Sequence, residues 1–153
     1  MLSDLMYEAL AGGEALAGSA DTRLAAIAAK ALKESRYHFR FSSGWLIRLG
    51  DGTEESHLRA QNALDALWRF TDELFAADEL DEQMATQGIA PRLGELQPRW
   101  SAQIDAVLRE ATLQKPANAH YAWHGKRGVH SEHLGHMLTE MQHLQRTYPG
   151  AQW

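Results

Sequence analysis

The chain has no cysteine among its 153 residues, which excludes disulfides and thiolate metal sites and is compatible with a reducing compartment. It also lacks a surplus of positive charge. Fifteen lysines and arginines stand against twenty carboxylates, a formal net charge of −5, so no basic excess is available to neutralise nucleic-acid phosphates. No window reaches the run of about 18 uncharged apolar residues that a membrane-spanning helix requires. The opening MLSDLMYEALAGG carries Asp4 and Glu8 and has neither the basic start nor the apolar core of a secretory leader. These absences predict a soluble, cytoplasmic protein with no nucleic-acid or membrane partner. Period-two alternation is missing as well, and with it the signal for strands. The fold class predicted is all-α.

What is present is one very long amphipathic run, Leu24 to Arg48, reading LAAIAAKALKESRYHFRFSSGWLIR. At 100° per residue, Leu24, Ile27, Ala28, Ala31, Leu32, Phe39, Trp45, Leu46 and Leu49 fall within an arc of about 140°. Arg23, Lys30, Lys33, Arg40 and Arg48 fall outside it. A run of about 28 residues is about 42 Å long and needs long antiparallel partners to cover it. This points to a helical bundle.

The punctuation supports further helices. Residues 2–11 form a short amphipathic piece, and Ser19 or Asp21 is placed to cap the long helix. Gly50-Asp51-Gly52 ends that helix, and Thr53 caps a second that carries Leu64, Leu67, Trp68, Thr71, Leu74 and Phe75 on one face to about Ala77. An acidic piece from Asp78 to Gln87 ends at Gly88, and 91–98 reads as a connection. Trp100, Ile104, Val107, Leu108 and Ala111 define a third helix; 115–128 is loop-like, and Ser131 caps a last helix reaching about Thr147. The expected organisation is one domain over 1–153, with residues 1–49 as a bundle-helix portion and 53–147 as the carboxy-terminal helices.

Six of the eight histidines lie between His120 and His143, and two pairs, Glu54-x-x-His57 and Glu140-x-x-His143, have the carboxylate-x-x-His spacing of di-iron bundles. Residues i and i+3 project from one helix face, so two such pairs with two further glutamates can surround two metals. The wheel of the last helix argues otherwise. Leu134, Met137, Leu138, Met141 and Leu144 make its core face, while His133, His136, Glu140 and His143 cluster about 115° away. A solvated polar face is the preferred reading there, and a helix-dipole role the preferred one for Glu54. Glu34 and His38 form an i, i+4 pair at the apolar arc, read as a structural pair in which the carboxylate orients a buried imidazole. Gly125-Lys126-Arg127-Gly128 is a basic loop that could meet a phosphate. No dinucleotide fingerprint, P-loop or nucleophile elbow occurs.

Three segments together, LAAIAAKALKESRYHFRFSSGWLIRLGDGT, ALWRFTDELFAADE and GKRGVHSEHLGHMLTEMQHLQRTYPGAQW, resemble the C subunit of the ring-1,2-phenylacetyl-CoA epoxidase, a multicomponent monooxygenase of phenylacetate catabolism. The resemblance spans most of Leu24 to Trp153. It implies a ferritin-like helical bundle, here partial and lacking the N-terminal helices. It implies too that the C subunit is a structural, non-catalytic partner of an A subunit. That A subunit holds the di-iron centre and epoxidises the aromatic ring of the CoA thioester, and a reductase component brings electrons from NADPH. Where a catalytic member of the family carries carboxylate-x-x-His on the long helix, this chain has Glu34-Ser35-Arg36-Tyr37, with His38 displaced by one residue.

No catalytic, cofactor-binding or metal residue is therefore expected in this chain, and no activity alone. The alternative is an autonomous carboxylate/histidine oxidase whose homodimer assembles Glu54, His57, Glu140 and His143. An uncovered stripe on the long helix further implies self-association or dependence on a partner. Arg36 and Arg40, on its non-core side, are candidates for meeting an acidic partner.

Overall fold

The computed structural model describes residues 12–117 and 125–152, apart from the side chain of Lys126. The amphipathic piece expected over 2–11 and residues 118–124 of the expected loop lie outside that description. The chain divides into two compact units, Met1–His120 and Tyr121–Trp153. All regular elements among the described residues are helical, as predicted.

In the first unit a short α1 (Gly12–Leu16) precedes α2 (Thr22–Gly50), which runs for 29 residues. Asp21 caps it, accepting from the amides of Arg23 and Leu24 at 2.9 and 3.0 Å. Ser19 serves differently: its hydroxyl donates to the Ile89 carbonyl at 2.6 Å and pins the loop before α2. After Gly50 the turn Asp51–Thr53 leads into α3 (Glu54–Trp68), where Thr53 and Ser56 form a reciprocal capping box. α4 (Glu79–Thr86) has a similar box between Asp78 and Asp81 and is followed, after its C-cap Gln87, by Gly88 with φ +71°.

Two boundaries differ from the sequence reading. α3 stops at Trp68 rather than near Ala77, and a 3₁₀ turn takes over at Thr71–Phe75. The buried Thr71 hydroxyl donates to the Trp68 carbonyl at 2.8 Å, a local bond that competes with the helical ladder and swings Leu74 and Phe75 against the core. α5 (Leu93–Glu110) begins before Pro98, not after it. A proline there removes only one ladder bond, towards Gly94, near the helix end. In exchange, the apolar period of Trp100 and Ile104 extends back to the half-buried Leu96 and Leu93.

The core joins Leu46 of α2, Ala60, Leu64 and Trp68 of α3, and Trp100, Ile104, Val107 and Leu108 of α5, closed by Ala111 and Leu113. Of the apolar arc expected on α2, only Ala28 and Leu46 are buried; Leu24, Leu32, Phe39 and Leu49 are half-buried, and Ile27, Ala31 and Trp45 are exposed. Ser42, Ser43 and Gly50 complete the packed face, small residues that allow close helix approach.

Glu14 of α1 ties the unit together, bonding Arg36 of α2 at 2.8 Å and Arg99 of α5 at 2.5 Å. Gly50 and Ala111 also meet, so α2 and α5 run side by side in the same direction. The hydrogen bond from Arg36, and after it the one from Arg99, holds the Glu14 carboxyl below its ordinary value of 4.5. A lowered folded-state value means that Glu14 stabilises the fold above about pH 4.5 and ceases to do so as pH falls through the lowered value. Glu14→Gln should remove this part of the acid sensitivity, so that thermal melts of the variant change less than wild type over that window.

The second unit contains a 3₁₀ turn (Gly125–Arg127), α6 (Glu132–Met141) and α7 (His143–Thr147). The single final helix predicted from the sequence is thus two segments meeting at Gln142, although Gln142 keeps right-handed helical dihedrals. Ser131 occupies the N-cap position without a side-chain capping bond. The expected core face is corrected: Leu134 is half-buried, while Met137, Leu138, Met141 and Leu144 are exposed.

Candidate functional site

The most organised polar cluster sits where α2 and α5 end together. The Gly50 carbonyl, an orphan acceptor at a helix terminus, takes a bond from His57 Nδ1 at 2.7 Å and one from the Thr112 hydroxyl at 3.2 Å. A carbonyl can only accept, so Nδ1 carries a proton in this contact. The Leu49 carbonyl is met in the same way by the Ser56 hydroxyl at 2.7 Å. Thr112 follows α5 with φ +56°, an uncommon conformation for a β-branched residue. It closes the helix: the Leu113 amide bonds the Leu108 carbonyl at 3.0 Å and the Thr112 amide bonds the Arg109 carbonyl at 3.2 Å. Gln61 then clamps the Gln114 backbone through two bonds of 2.9 Å. Lys115 pairs with Asp105 at 2.7 Å and lies over the Trp68 ring.

His57, Gln61, Thr112, Gln114 and Lys115 line a groove of about 470 Å³. Their hydrogen bonds go to helix ends, backbone and neighbouring side chains, with the Thr112 hydroxyl 3.4 Å from His57 Nδ1. The cluster is a clasp. Thr112, Gln61 and Gln114 carry no sequence signal for it, because their roles arise from contacts across more than fifty positions and leave no local pattern.

Glu54 is exposed in the first turn of α3, whereas His57 turns toward Gly50. Glu140 and His143 belong to the second unit, exposed on either side of Gln142. Among the described residues no three histidines or carboxylates gather closely enough to hold a metal ion. Glu34 and His38 are both exposed, which corrects the expected burial of the imidazole. The packed face of α2 centres on Ala28, Ser42 and Leu46, about 70° around the helix from His38. The His38 ring stands edge-on to Tyr37, with centroids 6.0 Å apart. Arg36 is paired with Glu14. Arg127 is exposed in its turn, and the side chain of Lys126 lies outside the described residues.

The side of α2 away from the core carries an aromatic ladder. Tyr37, Phe41 and Trp45 recur every four residues and remain 54%, 53% and 42% exposed. The Tyr37 and Phe41 rings stack with centroids 6.2 Å apart and the Phe41 and Trp45 rings meet edge-on at 6.5 Å, with Arg40 over Tyr37 and Arg48 over Trp45. A helix apolar on two faces is built to be covered on both. The period-four aromatics are the signal for this ladder, but a single broad arc merges Trp45 with the core and hides it. No described helix is long and apolar enough to cross a membrane.

Sequence comparison places these surfaces in context. Residues 5–153 match the family described as phenylacetic acid catabolic protein. The chain belongs to that family. Within it, the chain is 54% identical over 135 residues to the C subunit of the 1,2-phenylacetyl-CoA epoxidase of Escherichia coli (strain K12). That alignment covers 88% of the present chain and 54% of the relative, so the chain spans about half the length of the curated relative it matches. Family membership agrees with the resemblance carried by the three sequence segments and with an all-helical, ferritin-like bundle. The family match also reaches upstream of Leu24, into a stretch that those three segments do not include.

Proposed function

We propose that this chain acts as a structural subunit of a phenylacetyl-CoA epoxidase in aerobic phenylacetate catabolism, supporting a di-iron catalytic A subunit and making no bonds of the reaction itself. The observation that carries the reading is the 54% identity to an epoxidase C subunit over nearly the whole chain. Two features of the molecule favour a supporting role. The clasp around Gly50 uses its histidine, threonine and glutamine side chains to hold helix ends. Broad apolar helix faces on α2 and α6 are exposed, the condition of a chain that works within a larger assembly. In this reading the iron belongs to the A subunit, NADPH acts through a reductase component, and the complex operates in the cytoplasm. Arg127 and Lys126 are positions to examine for contact with CoA phosphates.

Co-purification with an A subunit tests the proposal, with the eluted complex assayed for iron and for phenylacetyl-CoA epoxidation. The expected result is a stable complex whose iron resides in the A subunit and whose activity requires both chains. Absence of a complex, with iron bound to this chain alone and lost on replacing His57 or His143, would overturn it in favour of an autonomous oxidase.

A further inference from the structure

We draw no further inference here: the strongest candidate, the groove beside the joined ends of α2 and α5 that His57, Gln61, Thr112 and Lys115 line, belongs to the clasp already described, its side chains bonded to helix ends, backbone and one neighbouring carboxylate or another.

Discussion

Gly50→Ala is expected to be among the most damaging single substitutions in this chain, lowering the melting temperature of the first unit by on the order of 10 °C or more. A Cβ built on Gly50 would stand 2.3 Å from the carbonyl oxygen of Ala111 and 3.0 Å from its Cβ. The nearest atom is backbone, so no rotamer change relieves the clash, and the ends of α2 and α5 must move apart. That movement loosens the bonds Gly50 accepts from His57 and Thr112 and the burial of Ala111 and Leu113 behind them. Overpacking costs about 1–3 kcal/mol, and each loosened hydrogen bond adds about 1 kcal/mol, giving a loss of about 3–5 kcal/mol. Urea denaturation followed by circular dichroism would measure it. Gly44→Ala supplies the contrast within the same helix. Its new methyl meets nothing within 4 Å, so improved helix propensity should leave stability equal or higher by up to about 1 kcal/mol. Equal effects at the two glycines would show that the approach of α5 to Gly50 is not a constraint.

This contrast also marks the limit of what the sequence discloses. Gly50 is legible as a helix stop because Gly-Asp-Gly followed by Thr53 is a local signal, but its contact with Ala111 lies sixty-one positions away. The caps at Asp21 and Thr53 are readable for the same local reason. The break after Trp68 is not, since the apolar period continues through Leu74 and Phe75 while a single threonine hydroxyl diverts the backbone. Pro98 misleads in the other direction: a proline signals a boundary, yet burial of Leu93 and Leu96 outweighs one missing ladder bond. On α2, periodicity identifies an amphipathic helix without revealing that it has two apolar faces. Ile27 and Trp45 lie at one edge of the 140° arc, and only the packing of Ser42, Ser43 and Gly50 shows that the core lies toward the other. The histidine–carboxylate spacings are plain in the sequence. What becomes of His57 depends on which way its ring turns, and a carbonyl at the end of the preceding helix decides that.

Trp100→Ala should cost about 3–5 kcal/mol, the range for deleting a buried large aromatic side chain. Trp100 is 3% exposed and stands between two other rings, 5.8 Å from Trp68 and 5.3 Å from Phe75. It joins α5 to the end of α3 and to the 3₁₀ turn that replaces the continuation of α3. Alanine is a better helix former than tryptophan, but by only about half a kcal/mol, so the cavity dominates. The loss should fall unevenly, because Leu46, Leu64 and Ile104 pack farther along the same core and keep most of their contacts. The 3₁₀ turn, which relies on Phe75 for its anchorage, should lose its order first. Amide hydrogen exchange would resolve the two effects: protection at Thr71–Phe75 should fall more than protection in the middle of α3 and α5. Trp100→Phe keeps an aromatic ring against Phe75 and removes less volume, so it should cost clearly less than the alanine variant. If phenylalanine and alanine were equally damaging, ring contact with Phe75 would not be what anchors the turn, and the special fit of the indole would have to account for the whole effect.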